Sequence, residues 1–248
     1  MIDLRLGDYR ETLADVTCDL LCVDAPYSAR THGGHDAGTR SDDSGDGYGH
    51  RRQTRAINYA GWEPDDVREC VDFFAPRTRG WMVSITDHVL APVWADAMES
   101  VGLYAFAPIP LVEIGSRVRL FGDGPSSWTC WIIAARPRTG NDRTGRPYSK
   151  WGTLRGAYVY TGRGDRTVMG GKTSWSMTDM INDYSRPGDT VCDPCAGGGT
   201  TLLAARKLGR DAIGSELDPK THHKASMRLG LVEDVEGLPL FGTKDSRA

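Results

Sequence analysis

Residues 188–219 read GDTVCDPCAGGGTTLLAARKLGRDAIGSELDP. A β-branched run, TVCD at 190–193, meets a turn built on Gly197, Gly198 and Gly199. The turn opens onto TTLLAARKL, a helical pattern that stops at Gly209. A second apolar run, DAIGSE at 211–216, then ends in an acid. Strand, glycine turn, helix and strand make a nucleotide-binding βαβ unit in outline. The glycines permit a tight turn and let a ligand approach the backbone. Glu216 follows Gly197 by 19 residues, the interval at which such units place an acceptor for ribose hydroxyls.

What is missing narrows the ligand. Leu202 occupies the third glycine position of G-x-G-x-x-G, which disfavours a pyrophosphate cofactor. A phosphate-binding loop at GGKTS (170–174) fails because Arg166 stands where its first glycine is needed. Asp193, immediately before the turn, suits a ligand with ammonium and sulfonium charges better than one with phosphates. S-adenosylmethionine has that pattern of charge.

Outward from this unit, apolar runs with β-branched and aromatic content at 18–23, 80–85, 103–114 and 128–135 read as further strands. Helical patterns lie among them. One begins at Pro64 with Asp65 and Asp66, one runs through VLAPVWADAMES to Gly102, and one is expected from near Ser176 to Tyr184, with Asp179 completing a capping box. The last has Asp218 as N-cap, Pro219 at its first position and Gly230 beyond its end. Strands alternating with helices predict an α/β fold: an open, mostly parallel sheet with helices on both faces. A chain of 248 residues suits a single domain.

The 30 glycines and 13 prolines imply long functional loops. Residues 28–55, glycine-rich and charged, cannot build a core, so a mobile lid or substrate-gripping loop is expected over about 28–57. No run approaches the roughly 20 apolar residues of a membrane span, and the start lacks a secretory pattern, so a cytoplasmic protein is expected. The six cysteines, scattered mostly in apolar runs, read as buried thiols. The lone C-x-x-C pair, Cys192 and Cys195, is not read as a zinc site, and no metal is expected. Net charge is −3, yet residues 136–172 carry nine Lys or Arg against two Asp, with Tyr148, Trp151, Tyr158 and Tyr160 interleaved. This insertion reads as a surface that tracks a nucleic-acid backbone. Asp87, at the end of another strand, reads as the cap of the next helix.

DAPY at 24–27 ends the strand at 18–23 with an acid, a proline and an aromatic ring. With this tetrapeptide beside DPCAGGGTT (193–201), the chain resembles the amino-methylating DNA methyltransferases, which modify adenine N6 or cytosine N4. DAPY is similar to their D-P-P-Y catalytic motif and DPCAGGGTT to their cofactor motif. The order, catalytic motif first, resembles the permuted class called beta. LRLGDYRETL and KTSWSMTDMINDYSRPGD also resemble that class, and the likeness is weakest over 115–170.

The resemblance implies a Rossmann-like, circularly permuted S-adenosylmethionine-dependent methyltransferase fold with a seven-stranded sheet. It implies cofactor contacts at Asp193, Pro194, Cys195, Ala196, Gly197, Gly199, Thr200, Thr201, Glu216, Leu217 and Asp218, and also at Lys172 and Ser174. An exocyclic amine is a poor nucleophile and is hidden by stacking. Asp24 and the Ala25 carbonyl would accept its two N–H groups, Tyr27 would stack the flipped base, and Pro26 would stiffen the turn. Ala25 stands where the family has proline. Cys195 is read as a cofactor contact and not as a nucleophile. The partner implied is double-stranded DNA, contacted through Arg30, Arg51, Arg52, Arg138, Arg143, Arg146 and Lys150, and a homodimer would suit so compact a recognition region. Adenine N6 is the expected target in a phage- or restriction-associated enzyme. Cytosine N4, RNA methylation and a non-catalytic DNA-binding fold are the alternatives.

Overall fold

Strand β2 (Cys18–Asp24) is buried along almost its whole length, because CDLLCV presents apolar groups to both faces of the sheet. The computed structural model describes residues 1–31, 60–114, 129–161 and 171–232. In chain order these form β1 (Ile2–Leu6), α1 (Tyr9–Thr12), β2, α2 (Pro64–Phe74), β3 (Thr78–Thr86), α3 (Ala91–Ser100), β4 (Leu103–Ala105), β5 (Ile109–Ile114) and β6 (Thr129–Pro137). There follow β7 (Tyr158–Thr161), α4 (Ser174–Tyr184), β8 (Thr190–Asp193), α5 (Thr200–Lys207), β9 (Asp211–Glu216) and α6 (Pro219–Leu229).

The strands lie in the order β1-β9-β8-β2-β3-β6-β5-β7, with β4 paired to β6. Every neighbour pair is parallel except those of β6, which runs antiparallel to β3, β4 and β5. The sheet is therefore mostly parallel, as expected, but has nine strands among the described residues instead of seven. The run at 103–114 breaks into β4 and β5, and the sheet is extended at its edges by the short β1, whose IDLRL alternates apolar and charged residues, and β7.

Alternation along β2 divides the core. Leu21 and Val23 pack on one face with Val67, Val71 and Phe74 of α2 and Trp94 and Met98 of α3. Leu20 and Cys22 pack on the other with Met177, Met180 and Ile181 of α4 and Leu202 and Ala205 of α5. Helices thus cover both faces, and the carboxyl ends of the central strands emerge between them.

Most helix ends match their signals. Asp66 accepts from Glu63 N–H at 2.8 Å at the start of α2, and Asp218 caps α6 by accepting from Thr221 N–H at 2.9 Å. Helix α4 departs from expectation: it starts at Ser174, with Thr173 as its cap, and not near Ser176. Ser176 instead turns its hydroxyl to the Thr173 carbonyl at 3.0 Å, and Asp179 accepts from the Tyr160 hydroxyl at 2.7 Å. No helix among the described residues is long and apolar enough to cross a membrane.

Candidate active site

The chain leaves β8 toward β9 on one side and leaves β2 toward β3 on the other, so the strand order reverses between β8 and β2. Crevices at such a reversal, outside the carboxyl ends, are where open α/β sheets bind ligands. Three adjacent strands end in acids there: Glu216 on β9, Asp193 on β8 and Asp24 on β2.

The turn after β8 is held from below. Ala196 N–H donates to the Ser215 carbonyl at 2.9 Å, and Gly199 N–H to the Ala196 carbonyl at 2.8 Å. Gly199 caps α5 at φ +72°, and a Cβ there would meet Leu229 Cδ1 at 3.1 Å. Of residues 193–201 only Cys195 and Gly197 are part-exposed, while Pro194, Ala196, Thr200 and Thr201 are buried. Leu202, which breaks the dinucleotide pattern, packs against Gly214 of β9. A Cβ on Gly214 would lie 2.8 Å from the Asp193 carbonyl and 3.0 Å from Leu202 Cδ1. The glycine that lets helix and sheet approach therefore sits on the second strand.

The acids differ in state. Asp193 is 1% exposed, accepts from Cys195 N–H at 3.0 Å, and has its pKa pushed up to about 7 by burial, against the opposing Thr201 hydrogen bond. No ion pair reaches it among the described residues. Glu216, also raised by burial, accepts from Gly197 N–H at 2.9 Å and Asp218 N–H at 2.8 Å, one bond on each oxygen. Each oxygen keeps a further lone pair for a ligand hydroxyl. Leu217 beside it is largely exposed.

Asp24 meets Lys172, whose Nζ donates to Oδ1 at 2.7 Å. The lysine is buried; burial works to lower its pKa, but Asp24 and its neighbours prevail and raise it, so it stays an ammonium. That ammonium also lies 4.9 Å from the centre of the Tyr27 ring, whose hydroxyl donates to Cys130 Sγ of β6 at 3.0 Å. Ala25 is buried and Pro26 half-buried. Ser174 follows on the first turn of α4. Lys172 is thus in contact with the DAPY tetrapeptide, a pairing across 148 residues that no local pattern announces. Arg228 escaped notice too: it braces the glycine turn by donating to the Gly198 carbonyl and Thr200 Oγ1, both at 2.9 Å.

The basic insertion corrects one expectation. Strand β6 runs backwards, so residues after it return to the amino ends of β2 and β3. Arg143 donates to the carbonyls of Ala75 at 2.6 Å and Thr78 at 3.1 Å. Thr78 pairs with Cys18, six residues of β2 from Asp24, or about 20 Å at roughly 3.3 Å per residue. Arg146 is enclosed by Asp142, Asp189 and Asp19. These two arginines complete the fold at the end of the sheet remote from the acids. Arg138 and Lys150 are exposed beyond the same end of β6, and Arg138 lies 3.8 Å from Glu99. Tyr148 and Tyr158 are core residues, and Tyr158 and Tyr160 are tied to Asp183 and Asp179. Arg30, exposed two residues past Ser28, follows the DAPY turn in sequence. Arg51, Arg52 and most of the expected 28–57 loop lie outside the described residues.

Residues 172–227 match the DNA methylase family model. The type II methyltransferase M.MthZI of Methanothermobacter thermautotrophicus is 56% identical over 39 residues, 16% of this chain. That match spans only 11% of the relative's own length. The fold is that of the M1.HpyAVI–SAM complex, with a TM-score of 0.65, 21% identity, and coverage of 92% of this chain and 99% of that one. The cytosine-N4-specific PvuII DNA methyltransferase shares it at a TM-score of 0.59 and 13% identity, over 96% of this chain and 88% of the other. The cofactor-motif segment thus matches the DNA methylase family model, and the architecture is that of these methyltransferase folds.

Proposed function

We propose that the protein methylates the N6 amine of adenine in double-stranded DNA, using S-adenosylmethionine as donor. The observation that carries this reading is the placement of Asp24 and Asp193 at the ends of the paired strands β2 and β8. An acid suited to an amine then sits beside an acid suited to a cationic cofactor. Cytosine N4 is the second reading, favoured by the fold shared with the cytosine-N4-specific PvuII enzyme.

The residues present fit the cofactor. Asp193 is a buried carboxylate without a cationic partner among the described residues, and an ammonium would supply one. Glu216 retains acceptor capacity for ribose hydroxyls, and the part-exposed Gly197 lets a ligand approach the backbone. When bound, S-adenosylmethionine supplies an electrophilic methyl group on a sulfonium.

The chain's own groups prepare the amine. Asp24 accepts one N–H and stabilises positive charge growing on the nitrogen, while the Ala25 carbonyl accepts the other. Lys172 grips Oδ1, so the carboxylate is oriented before the base arrives. The Tyr27 ring, fixed at its hydroxyl by Cys130, stacks the flipped base and offsets part of the few kcal/mol lost on unstacking. Arg30 contacts backbone phosphate beside the turn.

The test is mass spectrometry of nucleosides from unmethylated duplex DNA incubated with protein and S-adenosylmethionine. Wild type is expected to yield N6-methyladenine. Asp24→Ala is expected to lower the yield at least about 100-fold while cofactor affinity, measured by calorimetry, holds within about twofold. N4-methylcytosine would select the second reading. Cofactor binding with no methylated nucleoside in DNA would reject both.

A further inference from the structure

We propose that Asp87, just past the end of β3, is a positioning residue for the catalytic turn, joining the backbone that follows Tyr27 to the start of α3. This rests on the proposed roles of Asp24 and Tyr27. Asp87 is 4% exposed, and its carboxylate collects five hydrogen bonds. Oδ2 accepts from Ser28 N–H at 3.0 Å and from the Ser28 and Thr31 hydroxyls. Oδ1 accepts from the N–H groups of Val89 and Leu90, each at 3.0 Å. The second pair closes the turn at 88–90 that leads into α3, whose N-cap is Leu90 and not Asp87 as expected from sequence. The first three bonds reach across 59 and 56 residues to the segment immediately after the tetrapeptide.

Three of the five partners are N–H groups, which can only donate, and the two hydroxyls can turn their protons to the same group, so an ionised carboxylate satisfies all five. An amide has a single acceptor oxygen and would turn its own N–H groups toward donors on the other side. These hydrogen bonds hold the Asp87 pKa below the usual range although burial works to raise it.

The rest of the neighbourhood makes the turn a fixed object. Trp62 N–H donates to the Tyr27 carbonyl at 3.1 Å, and Ser28 forms a parallel bridge with Trp62. The fit is close at Gly61, where a Cβ would come within 2.7 Å of the Tyr27 carbonyl and Ala29 nitrogen. Trp62 stacks on Trp94 of α3, with centroids 6.0 Å apart and planes at 21°. Tyr27 is therefore held at its hydroxyl by Cys130, at its carbonyl by Trp62, and at the next peptide N–H by Asp87. Asp87 links that peptide to the helix entry by hydrogen bonds, beside the stacking link that Trp62 makes to Trp94.

The test compares wild type, Asp87→Asn, and Asp87→Asn combined with Ser28→Ala and Thr31→Val, all in the full chain. The single variant is expected to lose about 100-fold in kcat for methyl transfer, the scale of an ångström-sized misplacement, with cofactor Kd unchanged. Its Tyr27 signal in fluorine NMR of fluorotyrosine-labelled protein should move, assigned by loss of that signal in Tyr27→Phe. The combined variant removes two donors that the amide would oppose, so kcat is expected to recover about tenfold. Wild-type kcat and an unmoved Tyr27 signal in Asp87→Asn would overturn the proposal, as would a loss explained by unfolding alone with no recovery in the combined variant. Should Asp87→Asn fail to fold, the Ser28→Ala and Thr31→Val double variant takes its place: a several-fold drop in kcat with a shifted Tyr27 signal supports the role, and neither change overturns it. An inactive wild type would sink the proposed function, while the fluorine signal still judges Asp87.

Discussion

The two ends of the central strands carry the same kinds of residue to opposite purposes. At the amino ends, Arg79 and Arg146 face Asp19, Asp142 and Asp189, and the remaining acceptor capacity is taken up locally. Asp19 also accepts from Thr190 N–H at 2.9 Å, and Asp142 from Thr144 N–H and Arg146 N–H, each at 2.9 Å. At the carboxyl ends stand Asp24, Asp193 and Glu216; among the described residues Lys172 pairs with Asp24, and no ion pair reaches Asp193 or Glu216. The first cluster is complete in itself and closes the fold. The second is short of positive charge, and a buried acid short of charge is what a cationic ligand satisfies.

Removing a cation from the complete end should have the largest effect. Arg146→Met leaves the buried carboxylates of Asp142 and Asp189 without their cation and Asp19 with Arg79 alone, and is expected to cost about 3 kcal/mol in denaturant unfolding. Cofactor affinity of the folded protein should not change; an affinity loss as large as the stability loss would erase the distinction between the two ends.

The deficient end should respond to pH. With its pKa at about 7, Asp193 is mostly protonated in mildly acidic buffer, and a cation binds the ionised form. Binding should therefore release a proton below pH 7, and affinity should fall by up to about tenfold per pH unit as pH drops further. Above pH 7 it should be flat. Calorimetry in buffers of different ionisation enthalpy reads the proton directly, and Asp193→Asn should abolish both the release and the slope.

The smallest effect is expected at Glu216. Glu216→Ala should weaken S-adenosylmethionine binding about tenfold, the scale of a hydrogen bond to a charged acceptor, with part of the loss arising from the released Gly197 N–H. An unchanged Kd would remove the ribose assignment and leave Glu216 as a brace for the turn.

Much of the site was legible. Asp24, Tyr27, Asp193 and Glu216 stand at strand ends next to a proline or a glycine turn, and those signals involve adjacent residues only. The DNA-facing arginines were misread at Arg143 and Arg146 because a count of positive charges along 136–172 ignores the acids and carbonyls that absorb them. Lys172 was read only as a cofactor contact because its partner is 148 residues away.

By itself the sequence determined most of the helices and their caps, most of the strands and the position of the two turns at strand ends, since side-chain periodicity and glycine's backbone freedom are local properties. Tertiary structure alone decided the rest. The reversal of β6 sends Arg143 and Arg146 to the far end of the sheet, Gly214 provides the close approach that position 202 lacks, and Asp87 joins a helix entry to the turn after Tyr27. Strand direction, close packing and charge balance are relations between distant segments, and they take effect only when the sheet brings those segments together.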